Sequence, residues 1–388
     1  MKRSVGGIFL VMGTAVGAGM LSLPMITAAC GFIISLALVI ASWSVMYITA
    51  LKLVDVCVQQ PLGVNYTTLI KTALPISLQI IFTVVYLLLL YALMAAYTTQ
   101  GAALIDVISG SQINLTISLD AIFFIMLFGL IILSTKLSDH VNRWFVSIKL
   151  ILYILCILSM VVYLNFHYVL DMPVSLLALV FAWPTLLPSF GFQNIIPVLY
   201  EYQKGDIAAI KRSILIGSLS VLAIYVLWIF VCLTILPQKG LHSYQLIFEN
   251  GNSLNDLINE IKTVTSNFWI QAFLSIFINI SIVTSFICVG LSLFHYIKDI
   301  FVRLGLRINR VQNFCLTFMP PLIFTLFYPK GFILALQYAA IFAVIIFVFT
   351  PIYLNKSIGK ISSKYAMCLG VLVILAQLFN LIVGTNPF

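Results

Sequence analysis

"GTAVGAGMLSLP", residues 13–24, sits inside an apolar run that extends from Val5 to about residue 29, yet it holds Gly13, Gly17 and Gly19 and closes on Pro24. A helix that crosses the roughly 30 Å hydrocarbon core of a bilayer needs about 20 apolar residues, and this run supplies them. Glycine and proline weaken such a helix, one through backbone freedom and the other through its missing N–H. Two readings fit. Gly13-x-x-x-Gly17 is a small-residue packing motif between helices, or the backbone is opened because its N–H and C=O groups face a ligand.

The rest of the chain sets the class. Of 388 residues 62% are hydrophobic and 8% charged, against about 25% charged in a soluble domain, so this is a polytopic membrane protein. Lys2, Arg3 and the following apolar run imitate a signal peptide, and "ITAAC" at 26–30 imitates a lipoprotein cleavage site. More membrane spans follow instead of a secreted domain, which excludes both. Cys30, Cys57, Cys156, Cys232, Cys288, Cys315 and Cys368 are scattered without a C-x-x-C pair; they read as small core residues, with no metal site and no cofactor. The formal charge of +9 is dispersed between apolar runs, which points to membrane orientation and not to nucleic acid.

Eleven runs are long enough to cross: 5–29, 32–54, 75–105, 119–134, 142–164, 175–199, 212–236, 268–296, 312–328, 331–352 and 366–385. With the N-terminus in the cytoplasm, sixteen of the 20 Lys and Arg fall inside; only Lys239, Lys262 and Lys330 fall outside, and Lys149 lies within a span. The positive-inside rule fixes that orientation and puts the C-terminus outside, because the number of spans is odd. The polar stretch 237–267 reads as an external cap with helical pieces, and 59–75 as a short cytoplasmic interfacial segment.

The sixth span carries a second anomaly, "FAWPTLLPSFGFQNIIPVLYEY" at 181–202, with Pro184, Pro188, Gly191 and Pro197. Interruptions about five spans apart are what two inverted five-span repeats produce: 1–164, then 175–352, with 366–385 as an extra helix, all one domain 1–388. The expected fold is all-α, eleven transmembrane helices in a five-plus-five inverted repeat with discontinuous helices 1 and 6. An enzyme needs convergent acid–base groups or a metal, but all eleven acids and His140, His167, His242 and His295 lie in loops or near span ends. A channel favours a charged ring or a repeated filter loop, and neither is present.

Lys149, in "NRWFVSIKLILYIL", is the exception, about seven residues into the fifth span with no carboxylate nearby in sequence. Either it exchanges a coupling proton, or replaces a bound cation at the carbonyls of span one, or it snorkels to the cytoplasmic interface. Tyr86, Tyr91 and Tyr97 run along span three, and Phe190 and Phe192 flank Gly191. An apolar slot beside exposed backbone suits a zwitterion, its carboxylate on half-helix N-termini and its ammonium on carbonyls.

With those residues in view, the sequence resembles the hydroxy and aromatic amino acid permease family of the amino acid–polyamine–organocation superfamily. The matching stretches are "GTAVGAGMLSLP" (13–24), "YALMAAY" (91–97), "NRWFVSIK" (142–149), "SFGFQNIIP" (189–197), "TSFICVGLSLFHYIKDIF" (284–301) and "LFYPKGFILALQYA" (326–339). The resemblance implies a leucine-transporter-like fold and a monomeric, proton-coupled importer of aromatic amino acids in a bacterial inner membrane, with the C-terminus periplasmic. It places the backbone part of the substrate site at Thr14, Ala15, Val16, Gly17, Ala18 and Gly19, and at Ser189, Phe190, Gly191, Phe192 and Gln193. Tyr91 and Tyr97, with Thr284 and Ser285, complete it, and Lys149 takes the proton-coupling role. Relatives usually carry a histidine where Gln193 stands, so a scheme with the coupling proton on that histidine does not apply here; they often carry an acid where His295 stands. A sodium-coupled symporter, with Thr284 and Ser285 as oxygen ligands, and a non-translocating amino acid sensor are the other readings.

Overall fold

A computed structural model describes residues 2–62, 69–71, 74–109, 117–133, 135–170, 176–250, 254–355 and 360–383. Every regular element among them is helical. In chain order the principal helices are α1 (Lys2–Ala15), α2 (Leu23–Thr27), α3 (Phe32–Val58), α4 (Ile76–Ser109), α5 (Thr135–Met160), α6 (Leu176–Ser189) and α7 (Ile196–Tyr202). They continue with α8 (Ile207–Ile235), α9 (Leu254–Thr265), α10 (Phe268–Arg303), α11 (Arg310–Phe327), α12 (Phe332–Val344) and α13 (Lys360–Val383).

Among the described residues eight helical stretches are long and apolar enough to cross a membrane, and the pair Ser4–Ala15 and Gly19–Cys30, bent by 54°, makes a ninth when taken as one span. Sequence reading expects eleven. The two remaining runs are the shorter apolar stretch Leu119–Ile132 and α11, an 18-residue helix that opens on the polar turn Arg310-Val-Gln-Asn and holds Pro320 and Pro321. The expected external cap is helical, with α9 burying Leu254, Leu257, Ile258 and Ile261 on one face. Of the expected interfacial segment, residues 63–68 and 72–73 lie outside the described residues.

The chain divides into two compact units, and neither is continuous in sequence. Unit one comprises Met1–Tyr86, Met172–Phe230 and Ala340–Phe388; unit two comprises Leu87–Asp171 and Val231–Ala339. Each unit therefore draws on both halves of the sequence.

Hydrogen bonds at one end of unit one fix its helix directions. Ser213 Oγ donates to the Ser4 carbonyl at 3.1 Å, and Gln203 Nε2 donates to Ser213 Oγ at 2.7 Å. Lys211 Nζ lies 3.3 Å from Asp55 Oδ1, and Asn355 Nδ2 lies 3.4 Å from Asp55 Oδ2. So α1 and α8 begin at this end, α3 and α7 finish there, and α13 starts shortly after Asn355. Because α7 prolongs the crossing begun by α6, α6 starts at the far end and runs antiparallel to α13. Close approach keeps α1 in place: a Cβ at Gly7 would collide with the Gln203 and Ser213 side chains, and one at Gly217 would sit 2.8 Å from the Val11 side chain.

Proline governs the helices it interrupts. It cannot donate to the carbonyl four residues back, and its ring crowds that carbonyl, so a buried crossing needs another donor there. Pro184 frees the carbonyl of Val180, and Asn380 Nδ2 from α13 donates to it at 2.7 Å. In unit two Pro320 frees the carbonyl of Leu316, and the Tyr91 hydroxyl donates to it at 2.7 Å. Pro351 follows a widened π turn at Ile345–Phe349, where the Thr350 hydroxyl donates to the Ile345 carbonyl at 2.8 Å.

Candidate functional site

Both sequence interruptions fall in unit one. Helix α1 ends at Ala15, Gly17 is extended at φ −132° and ψ −163°, and a short 3₁₀ turn over Ala18–Ser22 leads into α2. That conformation is open to any residue, so Gly17 is distinguished here by its missing side chain and not by its backbone angles. The Ala18 side chain lies outside the described residues. Thr14 keeps its hydroxyl on the Leu10 carbonyl at 2.8 Å, and Ala15 and Val16 are buried.

The sixth span breaks later than its prolines suggest. Pro184 and Pro188 lie inside α6, which continues to Ser189; the break is at Phe190–Phe192, before a 3₁₀ turn at Gln193–Ile195. The Phe190 and Gly191 amides fold back onto the Leu187 and Pro188 carbonyls at 3.2 and 2.8 Å. A Cβ at Gly191 would sit 2.9 Å from the Pro188 oxygen and 3.1 Å from the Phe347 ring, which comes from the π turn. Close approach of backbone and ring therefore explains this glycine.

The two breaks meet. A Cβ at Gly19 would lie 3.6 Å from Ser189 Oγ, an ordinary contact. Tyr225 of α8, fully buried, places its hydroxyl 2.7 Å from the Ala15 carbonyl and 2.6 Å from the Ser189 carbonyl. One hydroxyl proton is thus shared between the last helical carbonyls before the two breaks. The Phe190 ring packs on Tyr225 with centroids 4.7 Å apart, and both Phe190 and Phe192 are fully buried. Sequence reasoning missed Tyr225, because one tyrosine in "VLAIYVLWIF" is indistinguishable from aromatic filling.

Gln193 has a definite task. Its Nε2 donates to the Met46 carbonyl and to Thr49 Oγ1, each at 3.1 Å, with Met46 Sδ at 3.3 Å. Those partners lie on α3, so the amide fastens the start of the second half-helix to it. The Met46 carbonyl can only accept, which fixes the nitrogen on that side; Oε1 is buried without a hydrogen-bond partner among the described residues.

The other expected residues lie in unit two. Tyr91 is committed to the Leu316 carbonyl. Tyr97 is buried, and its hydroxyl hydrogen-bonds the Ser285 side chain. Thr284 donates its hydroxyl to the Ser281 carbonyl at 3.0 Å. Lys149 is 2% exposed and is the electrostatic neighbour of Cys288, which also neighbours Tyr97. Snorkelling is therefore not its state here: the structure groups Tyr97, Ser285, Cys288 and Lys149 around one part of α10. His295 is exposed on the same helix.

A second buried lysine escaped the sequence reading. Lys52, counted among the cytoplasmic charges, is also 2% exposed, but it shares the end of α3 with Asp55 three residues on, and Asp55 meets Lys211 and Asn355. The Lys52/Asp55 spacing was the available signal. Among the described residues no three His, Cys, Asp or Glu side chains gather where a metal could be held.

Comparison with known proteins adds an independent line. The family profile described as the tryptophan/tyrosine permease family matches residues 1–385. Tyrosine-specific transport system 1 of Haemophilus influenzae is 32% identical over 341 residues, covering 87% of this chain and 84% of its own. Tyrosine-specific transport system 2 of the same organism is 30% identical over 394 residues, covering 100% and 96%. A tryptophan-specific transport protein from that organism is 29% identical, covering 96% and 95%. Among solved structures, a manganese transporter of Eremococcus coleocola superposes with a TM-score of 0.64 at 13% identity, covering 100% of this chain and 88% of that one; at that identity the likeness is one of fold.

Proposed function

The chain belongs to the tryptophan/tyrosine permease family, and from that premise we propose that it is a secondary active transporter importing aromatic amino acids by proton symport with alternating access. Membership in a family of permeases makes it a transport protein and not an enzyme. Tyrosine is the first substrate of the proposal, with tryptophan and phenylalanine beside it, in keeping with the names of its relatives. The proposal includes eleven crossings, a bacterial inner membrane, a cytoplasmic N-terminus and a periplasmic C-terminus.

The observation that carries the reading is the meeting of two interrupted crossings on one tyrosine hydroxyl. Open backbone is tolerated at membrane depth where it lines a cavity or meets a ligand. Under the proposal the segments Thr14–Gly19 and Ser189–Gln193 supply donors for the substrate carboxylate and carbonyls for its ammonium. Lys149, with Tyr97 and Ser285 beside Cys288, supplies the group whose protonation differs between states of the cycle. The burial of Lys149 beside Cys288 favours the lysine over a sodium ion as the coupling element.

The test is uptake of labelled tyrosine into proteoliposomes under an imposed pH gradient or an imposed sodium gradient. Accumulation driven by the pH gradient alone is expected. Lys149→Met is expected to abolish that accumulation while retaining tyrosine exchange across the membrane; undiminished uphill uptake by this variant removes the coupling role. Accumulation with sodium alone overturns the proton assignment, and binding without accumulation under either gradient makes the protein a sensor.

A further inference from the structure

Gln377 of α13 is fully buried, and neither its amide oxygen nor its amide nitrogen has a hydrogen-bond partner among the described residues. Leaving both ends of an amide unpaired in a membrane interior is expensive, and a leucine or methionine would fill the same space without that cost. Such a group calls for an explanation, and a partner gained in another state of the protein supplies one.

Its neighbourhood shows which partner. Helix α13 packs along α6, and the two run in opposite directions. They are pinned in register where Asn380 Nδ2 donates to the Val180 carbonyl, the carbonyl freed by Pro184. Stepping from Asn380 back to Gln377 moves one turn along α13 toward the end where α3 and α7 finish. Stepping from Val180 on to Pro184 moves one turn along α6 in the same direction. The second freed carbonyl is that of Pro184, which cannot receive an α-helical bond because residue 188 is also proline. The unpaired amide and the second freed carbonyl thus stand at one level of the α6–α13 interface, and glutamine is one methylene longer than the asparagine that serves the first.

We propose that Gln377 is a positioning residue of the transport cycle: when α6 bends at Pro188 to reshape the break at Phe190–Phe192, the Gln377 amide donates to the Pro184 carbonyl and holds the bent form. Asn380 is then the fixed anchor of the proline hinge and Gln377 its conditional latch. This inference rests on the transport reading, because it assigns the bend to a step of that cycle.

The test compares Gln377→Leu, Pro188→Ala and the double variant, as purified full-length protein and in proteoliposomes. Pro188→Ala restores an N–H for the Pro184 carbonyl and makes a latch unnecessary. Gln377→Leu is expected to raise the melting temperature by a few degrees, to leave tyrosine affinity unchanged, and to slow turnover about tenfold, the worth of one buried hydrogen bond. In the Pro188→Ala background the Gln377→Leu change is expected to add no further loss. Wild-type turnover in Gln377→Leu overturns the latch whether stability rises or falls, and so do losses that multiply in the double variant. If Gln377→Leu does not fold, Gln377→Met carries the same comparison. Hydrogen exchange at residues 184–192 separates this inference from the transport reading. Should the wild type fail to transport tyrosine, the reading falls on that result. The latch still stands or falls on whether Gln377→Leu alters exchange in the wild-type background but not in Pro188→Ala.

Discussion

Helix α1 stops at Ala15 and the chain turns by 54° before the crossing resumes at Gly19, whereas α6 carries two prolines within a helix that does not stop until Ser189. The residues that weaken a helix most strongly on intrinsic grounds therefore sit where the helix survives. The difference lies in what meets the released backbone. At Val180 the carbonyl freed by proline is answered by a side chain from another helix, so the helix loses little. At Ala15 the carbonyl is met by a hydroxyl already shared with Ser189, and Gly17 offers no side chain to close the gap. An interruption opens where replacement donors are scarce, and a proline is neither necessary nor sufficient for it.

Three substitutions break or sharpen that contrast. The largest effect is expected at the first interruption: Gly17→Leu fills the space beside the open backbone and should abolish tyrosine binding, measured by equilibrium binding on detergent-purified protein whose melting temperature stays near wild type. Intact binding in that variant would reduce the glycines to a packing motif. Tyr225→Phe comes next. It removes the hydroxyl that serves both breaks and leaves two carbonyls short of a donor, a cost of about 2 kcal/mol, with a weakening of tyrosine affinity of roughly tenfold. A variant that loses stability but keeps full affinity would show that the two breaks bind independently. Asn380→Leu is the smallest. It should lower stability by about 1–2 kcal/mol through the orphaned Val180 carbonyl, visible in thermal unfolding, with tyrosine affinity unchanged; a loss of affinity there would tie the proline segment directly to the substrate.

The two buried lysines repeat the lesson for charge. Lys149 is legible because it stands alone in an apolar run, and burial at 2% turns the choice between a buried and a snorkelling lysine into an observation. Lys52 is equally buried, but its nearness to the end of a span made it look like one more cytoplasmic charge. Its company of Asp55, Lys211 and Asn355 comes from three separate segments. No period along α3 reports that.

Polar residues inside crossings were the underused signal. Gln377 and Asn380 stand three apart in "LAQLFNLIV", a spacing that puts both on one face of a helix, and isolated amides at membrane depth ask for partners. Tyr91 shows what such a partner looks like: besides the substrate role that "YALMAAY" suggests, its hydroxyl donates to the carbonyl that Pro320 releases.

By itself the sequence determined that the chain crosses a membrane repeatedly, where its helices run, which two crossings are interrupted and which family it belongs to, because apolar length, glycine, proline and motif order are properties of neighbouring residues. Only the tertiary structure decided that two units each draw on both halves of the chain, that prolines at 184 and 188 leave the helix intact, and that one tyrosine joins the two breaks. Those outcomes depend on which distant side chain reaches a released carbonyl, and reach across a packed interior is not written in local order.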